Sequence, residues 1–237
     1  QRALLAPSGT LKAGLYPGTP TAILPGQDGA EARGVGYELG KALAARLDVP
    51  FAPVVLEKNA DVLEAVKTAA VDVAFTNATA TRAKDMDFTR PYLEIEMGYL
   101  VPAGSLLKSV DDVDRPGLRV AVTAKSTSDT VLSRDLKHAV VVRALTLKEG
   151  IELLARGKAD AYATNKATLF EMGDDLPGSR VLDGRWGLER HAIAIPKGRD
   201  AALPAVQKFA DEARASGLVR SAAQRAGLRG MLDTEAR

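Results

Sequence analysis

Hydrophobic positions along the chain come in short runs that alternate with amphipathic stretches. Leu11 to Leu15 reads as a strand, ended by the breakers Pro17, Gly18 and Pro20. After a loop rich in glycine and charge (Gly26 to Arg33), Tyr37, Leu39, Leu43 and Leu47 recur at helical spacing until Pro50. Phe51 to Leu56 predicts a second strand. Asp61-Val62-Leu63-Glu64 has capping-box spacing, with Val62, Leu63 and Val66 on one face of a short helix. Val71 to Phe75 predicts a third strand.

The same order then returns. Leu118 to Val122 is a strand, and Ser126-Thr127-Ser128 opens a helix running towards Lys137. Val140 to Arg143 is the next strand. Thr146-Leu147-Lys148-Glu149 is a second capping box, with Leu147, Ile151 and Leu154 on one face and Gly157 as the stop. Ala159 to Ala163 closes the series. Two strand–helix–strand–helix–strand runs predict two small parallel-sheet lobes rather than one large sheet, a repeat of topology and not of residues. Beyond Ile193-Ala194-Ile195, Pro204 to Ser216 reads as helix, a second helical stretch comes after it, and the charged tail Gly230 to Arg237 reads as a solvated end.

Ligands in open parallel sheets sit outside the carboxyl ends of the strands. That rule selects the loops at 15–20, 57–60, 76–82, 123–128 and 164–166, which line one cleft if the two lobes face each other.

Composition narrows the chemistry. The 237 residues carry 32 Lys+Arg against 30 Asp+Glu, a net charge of +2, which is no footprint for nucleic-acid binding. There is no cysteine, hence no disulfide framework, thiolate zinc site or cysteine nucleophile. The two histidines, His138 and His191, speak against a multi-histidine metal site, and no cofactor is expected. Apolar residues make up 46% and aromatic ones only 5%, so the chain is globular but poor in rings. No apolar run approaches the roughly 18–20 residues of a membrane span. The sequence starts at Gln1 rather than Met, which is expected of a processed N-terminus.

The loops hold the candidate chemistry. Thr76-Asn77-Ala78-Thr79-Ala80-Thr81-Arg82 places a guanidinium after a polar strand end, suited to gripping a carboxylate with its planar fork. The alternative is a surface pair of Arg82 with Asp85 or Asp87. Thr123 to Ser128 sets hydroxyls and free N–H groups at a helix start, where they cap the helix, face an anion, or do both. Gly34-Val35-Gly36-Tyr37-Glu38-Leu39-Gly40 has the wrong spacing for a dinucleotide fingerprint, and Walker A, HExxH and GxSxG sequences are absent.

The run Thr81-Arg82-Ala83-Lys84-Asp85-Met86-Asp87-Phe88-Thr89-Arg90-Pro91-Tyr92 resembles the R-x-x-x-x-D-F-[ST]-x-P-Y segment of family 3 extracellular solute-binding proteins, which serve ABC importers of polar amino acids and related solutes. Gly36-Tyr37-Glu38-Leu39, Val71-Asp72-Val73-Ala74, Val120-Ala121-Val122 before Ser126-Thr127, Gly157-Lys158-Ala159-Asp160-Ala161 and Ile195-Pro196-Lys197-Gly198 match in the same order. The resemblance implies an α/β, two-lobed type II periplasmic binding protein fold with a ligand cleft between the lobes. Lobe 1 is expected from 1–93 and 193–237, lobe 2 from 94–192, with hinges near 92–96 and 188–192. It further implies a monomer in the periplasm or outside the cell, with its signal peptide removed, a small carboxylate ligand and an inner-membrane ABC permease as partner.

Carried over from the family, the carboxylate-gripping arginine is Arg82, with Asn77 and the backbone of Phe75 beside it. Ser126 and Thr127 are the helix-start donors, Tyr16 and Asn59 line the first lobe's strand ends, and Thr164 and Asn165 end the last strand of lobe 2. Family members binding amino acids usually carry aspartate where this chain has Asn165. Thr19 and Asn59 stand at positions that are often aromatic, and Lys125 replaces a glycine. These departures favour a non-standard amino acid or organic acid over an ordinary amino acid, namely a small or polar carboxylate without a free α-ammonium or an anion with more than one acidic group, unless Glu57 or Glu189 supplies the carboxylate from elsewhere.

Two rivals share the fold, a ligand-sensing domain of a receptor and a cyclohexadienyl dehydratase-like enzyme. The enzyme needs an acid in the cleft, where the chain offers Thr168, with Glu171 one turn too far. Trp186 is expected to pack within lobe 2, His191 to make a structural hydrogen bond near the second hinge, and Lys125 and Lys166 to be solvated unless they face the cleft.

Overall fold

The first hydrophobic series folds as a short helix α1 (Arg2–Leu5), then β1 (Leu11–Leu15), α2 (Val35–Arg46), β2 (Phe51–Val55), α3 (Asn59–Lys67) and β3 (Val73–Asn77). The computed structural model describes residues 2–26 and 29–232; positions 27 and 28 of the expected loop and 233–237 of the expected tail lie outside the described residues. β4 (Met86–Phe88) and the nine-residue β5 (Leu93–Val101) come next. The second series is β6 (Arg119–Thr123), α4 (Thr127–Asp135), β7 (Val140–Ala144), α5 (Leu147–Ala155), β8 (Ala161–Asn165) and α6 (Lys166–Asp174). After β9 (Arg180–Val181), the ten-residue β10 (Gly187–Pro196) leads to α7 (Leu203–Ala215) and α8 (Leu218–Arg225).

Each series makes a parallel triplet, β2-β1-β3 in the first unit and β8-β6-β7 in the second. The two triplets do not stand as separate sheets. β10 pairs antiparallel with β3 through His191–Ala194 and with β5 through Gly187–His191, and β5 continues against β8 through Met97–Leu100. One hydrogen-bonded path, β2-β1-β3-β10-β5-β8-β6-β7, therefore runs through both units. The stretches expected as crossings lie in one antiparallel ladder, Leu93–His191 to Met97–Gly187.

The strands read as near-continuous apolar runs because helices cover both faces of each triplet. In the first unit Leu11, Leu15, Leu39, Leu43, Val73, Ile193 and Phe209 bury together on one face, while Val62, Val66, Val71 and Met86 fill the other. The second unit packs Val101, Val120, Val122 and Leu132 on one face and Leu100, Ala121, Leu154 and Tyr162 on the other. Tyr162 is fully buried, with its hydroxyl 2.5 Å from Thr123 Oγ1. Gly150 of α5 faces that ring so closely that a Cβ would come within 2.2 Å of it.

The expected capping box at Asp61 and Glu64 does not form. α3 begins at Asn59 with Lys58 as an uncapped N-cap residue, so Asp61 lies inside the first turn. The box at Thr146 is half realised: Thr146 Oγ1 accepts from Glu149 N at 3.1 Å, but the Glu149 carboxylate takes Leu145 N instead of the cap residue's own N–H. The third strands each end two residues later than expected, at Asn77 and Asn165.

That shift exposes a repeat of residues where only a repeat of topology was expected. Asp72-Val-Ala-Phe-Thr-Asn77 and Asp160-Ala-Tyr-Ala-Thr-Asn165 occupy equivalent positions. Each aspartate exchanges two bonds with its unit's first strand: Asp72 Oδ2 accepts from Lys12 N at 2.9 Å, and Asp160 Oδ2 from Arg119 N at 2.8 Å. Their own amides donate to Lys12 O and Arg119 O at 2.8 Å. Arg199 Nη1 pairs Asp72 Oδ1 at 2.8 Å, and Arg119 takes Asp160 in a fork with both contacts at 3.0 Å.

The tail corrects its expected solvation over the described part. Gly230 O accepts from Glu96 N at 3.2 Å, Leu232 N donates to Glu94 O at 3.0 Å, and Met231 bridges Ile95. Arg229 reaches α6, pairing Asp174 at 2.6 Å and lying 4.9 Å from the Phe170 ring centroid. Among the described residues no helix is long and apolar enough to cross a membrane.

Candidate functional site

The two Thr-Asn strand ends meet across the gap between the units. In the first unit β3 stops at Asn77, a short loop leads on, and a single 3₁₀ turn (Arg82–Lys84) carries the arginine back beneath the strand end. Arg82 Nη1 donates to Thr76 Oγ1 at 2.7 Å and to Asn77 O at 3.1 Å. Its Nε and Nη2 donate to no described residue. Among the described residues no carboxylate oxygen approaches the guanidinium within 4.0 Å, and the surface-pair alternative fails, because Asp85 pairs Lys67 at 3.3 Å and Asp87 pairs Lys197. Burial pushes Arg82 down from its ordinary value, against the opposing charge of Glu189. A guanidinium so lowered remains a cation at working pH.

In the second unit α6 starts immediately after β8, so Asn165 serves as its N-cap. Asn165 Oδ1 accepts from Thr168 N at 3.0 Å, and Nδ2 donates to Glu189 Oε2 at 2.9 Å. The same Oε2 lies 2.8 Å from His191 Nε2. Burial pushes the Glu189 carboxyl up, but the His191 hydrogen bond and charge, Arg82 and the Asn165 bond outweigh it, leaving the pKa below the usual range. Glu189 is therefore an anion. Its Oε1 accepts from no described residue, and the buried His191 Nδ1 has no partner.

Hydroxyl and amide bridges join the units around these charges. Asn77 Oδ1 accepts from Arg190 N at 2.7 Å and Nδ2 donates to Thr127 Oγ1 at 2.8 Å. Asn59 Nδ2 donates to Lys125 O at 3.2 Å, and Thr168 Oγ1 donates to Thr19 Oγ1 at 2.9 Å. Ser126 caps α4, accepting from Asp129 N at 3.1 Å. Burial pushes the Tyr16 hydroxyl's pKa up.

Between them lies a cavity of about 70 Å³, several times the roughly 10–15 Å³ that holds one water. All nine residues expected at the site line it: Tyr16, Asn59, Phe75, Asn77, Arg82, Ser126, Thr127, Thr164 and Asn165. Arg82, Ser126 and Thr127 also border a wider groove of about 670 Å³ on the outer side.

Glu189 and His191 line the inner cavity as well, with Thr19, Thr21, Thr76, Thr123, Leu147 and Thr168. Their signal was the alternation of β10, where residues two apart share a face, so that Glu189 and His191 point the same way. His191 does make the expected hydrogen bond, but as part of the cavity wall. Lys125 is exposed and lies outside the inner cavity, with φ +60°, in the left-handed region that favours glycine. Lys166 pairs Glu96 at 2.6 Å and also stays outside. Trp186 packs 6.1 Å from the Tyr99 ring and donates to Gly98 O at 2.9 Å. Among the described residues no group of three or more His, Cys, Asp or Glu is placed to hold a metal ion.

The model of the bacterial extracellular solute-binding proteins, family 3, matches residues 11–226. The chain belongs to this family. It is 30% identical over 129 residues to the ABC transporter glutamine-binding protein GlnH of Bacillus subtilis, covering 54% of this chain and 47% of that protein. The chain thus spans about half the length of the curated relatives it matches. Among solved structures, the solute receptor for L-cysteine of Neisseria gonorrhoeae superposes with a TM-score of 0.84 at 21% identity, covering 95% of this chain and 92% of that one. An ancestral amino-acid-binding protein, described as a precursor of cyclohexadienyl dehydratase, superposes at 0.81 with 23% identity, covering 94% and 98%. These likenesses show the type II periplasmic binding fold that this family 3 chain shares.

Proposed function

We propose that the chain is the solute-capturing component of an ABC uptake system. It takes a small carboxylate-bearing solute between lobe 1 (1–93 and 193–237) and lobe 2 (94–192), closes on it by bending at the β5–β10 crossing, and presents the closed form to an inner-membrane permease. The setting is the periplasm or cell exterior, and the protein works as a monomer. The supporting observation is Arg82. Its Nη1 is held by Thr76 and Asn77 O, while Nε and Nη2 remain as a donor pair at the cavity. A planar carboxylate satisfies both with charge-assisted bonds, and Thr127, with Ser126 at the α4 start, completes its surroundings from the other unit.

Binding requires no bond-making step, and among the described residues the one carboxyl lining the cavity is that of Glu189. The dehydratase alternative calls for a carboxylic acid on α6. Thr168 occupies that place, Glu171 pairs Arg229 at 3.4 Å, and Glu189 is held as an anion. A receptor's sensing domain would use the same cavity and differ only in what reads the closed form.

The test is calorimetry of the purified, ligand-stripped protein against carboxylates and their primary amides. Carboxylates should bind and amides should not, and Arg82→Met should abolish the difference. Equal binding of acid and amide would overturn the reading.

A further inference from the structure

The β5–β10 crossing is not the whole connection between the units. Gly230 to Leu232 lies antiparallel beside β5: Glu96 N donates to Gly230 O at 3.2 Å, Leu232 N donates to Glu94 O at 3.0 Å, and Met231 bridges Ile95. The residues around it are fastened to different units. Leu228 N donates to Ala223 O at 2.9 Å, and the side chains of Leu228 and Met231 pack on the first unit's core. Arg229, the very next residue, pairs Asp174 at 2.6 Å and Glu171 at 3.4 Å and lies over the Phe170 ring, all on α6 of the second unit. Gly230 rests on the start of the same helix, where a Cβ would come 2.7 Å from that of Lys166, and its φ of +82° is one that glycine adopts freely. Consecutive Cα atoms are about 3.8 Å apart, so there is no slack between the anchor on one unit and the anchor on the other.

α6 is also the helix whose Thr168 meets Thr19 across the cavity at 2.9 Å. Its first turn is thus held from the cavity side, and its later turns are held by Arg229. The bridges Asn77–Thr127, Asn59–Lys125 and Thr168–Thr19 and the contacts of Arg229 and Gly230 with α6 are all made in one arrangement of the units.

We infer that residues 228–232 are a closure clasp, in which Arg229 and Gly230 hold α6 against the first unit when the cavity is shut and release it when the units part. The inference rests on the reading that the units close at the β5–β10 crossing. It goes beyond that reading by assigning part of the closure to residues that do not line the cavity. The anchors on β5 are backbone bonds that travel with the crossing. The anchor on α6 is a partly exposed ion pair with a ring contact, weak enough to break and remake during a cycle. The clasp raises the share of shut molecules, so a solute that binds the shut form has to supply less of the closing work.

The chain contains no cysteine, so two introduced ones can carry spin labels without competition. Val55→Cys and Leu145→Cys place them at exposed sites, one in each unit and both outside the cavity. Pulsed electron–electron spectroscopy on the ligand-stripped full chain then reads the separation of the units. Arg229→Gln should move molecules from the short to the long distance, lowering the shut-to-open ratio about two- to five-fold, the range an exposed ion pair supplies. Gly230→Ala should shift it the same way by pushing the segment off Lys166. Glu171→Gln/Asp174→Asn should reproduce the effect of Arg229→Gln and add nothing to it when the three are combined. Asn77→Ala, which removes a bridge across the cavity, serves as the control that the units move at all. Lengthening by Asn77→Ala with no lengthening by Arg229→Gln overturns the inference and leaves the closing motion intact, even if Arg229→Gln lowers Tm as a merely structural contact would. Distances that neither variant changes overturn both.

Discussion

Asn77 and Asn165 close the same six-residue motif in the two units, yet they build opposite corners of the cavity. After Asn77 the chain loops out, and the asparagine's backbone oxygen and the neighbouring Thr76 hydroxyl fasten a cation, Arg82. After Asn165 the chain enters α6 at once, so the side chain must cap that helix, and its amide then fastens an anion, Glu189. Identical residues at identical places thus acquire different work from the loop or helix that comes after them. A strand-end motif specifies the polar frame, while the next few residues decide the charge it displays.

Removing the cation corner should have the largest effect. Arg82→Met should cost about 2–5 kcal/mol of carboxylate binding, roughly 30-fold or more in Kd by calorimetry. A fall of less than a few-fold would dissolve the contrast between the corners. Asn77→Ala comes next, because it strands Arg190 N and Thr127 together. A loss of about 1–3 kcal/mol is expected, seen as a drop in Tm of about 2–4 °C per kcal/mol; an unchanged Tm would mean that the bridge contributes nothing to the fold.

Helix starts allow a finer comparison within the second unit. Ser126→Ala and Thr146→Ala each remove a side-chain cap and should each cost about 1 kcal/mol of stability. Ser126 and not Thr146 lines the cavity, so the first variant alone should also weaken ligand binding. Equal ligand affinities would move Ser126 out of the site.

The smallest effect concerns the other end of the motif. The Arg119 hydrogen bond, ahead of burial, holds the Asp160 carboxyl below its ordinary 3.8. A depressed pKa contributes stability that is full above the unfolded value and is lost as pH falls through the folded one. Wild type should therefore lose part of its stability below about pH 4, and Asp160→Asn should show a shallower acid slope by circular dichroism. An unaltered slope would show that the clasp carries no pH-dependent stability.

Much of the fold was legible because β1, β6 and the helical faces of α2 and α5 keep clean periodicity. The cavity came from strand ends and from the resemblance around Arg82. β5 and β10 were not read as long strands: Leu93-Glu-Ile-Glu-Met does alternate but lies where a hinge was expected, and Gly187-Leu-Glu-Arg-His shows neither regular apolar alternation nor a continuous apolar run. Glu189 was therefore named only as one of two alternative carboxylates, because its place depends on a contact 24 positions away in sequence with Asn165. The repeated Asp-x-x-x-Thr-Asn was visible as text. Its meaning appeared only when the third strands proved to end at the asparagines, with the aspartates clasping their first strands.

The last described residues tie the units together by another route. A segment leaving α8 of the first unit lies along β5 and fastens its Arg229 to Asp174 and Glu171 of α6 in the second. Rotation of one unit against the other has to carry this strap or peel it. Its ionic fastening is at the surface, where charges separated by more than the Debye length of about 8 Å at physiological salt no longer act and exposed pairs weaken as salt rises. That fastening thus weakens as ionic strength rises, whereas the segment's place along β5 rests on backbone hydrogen bonds.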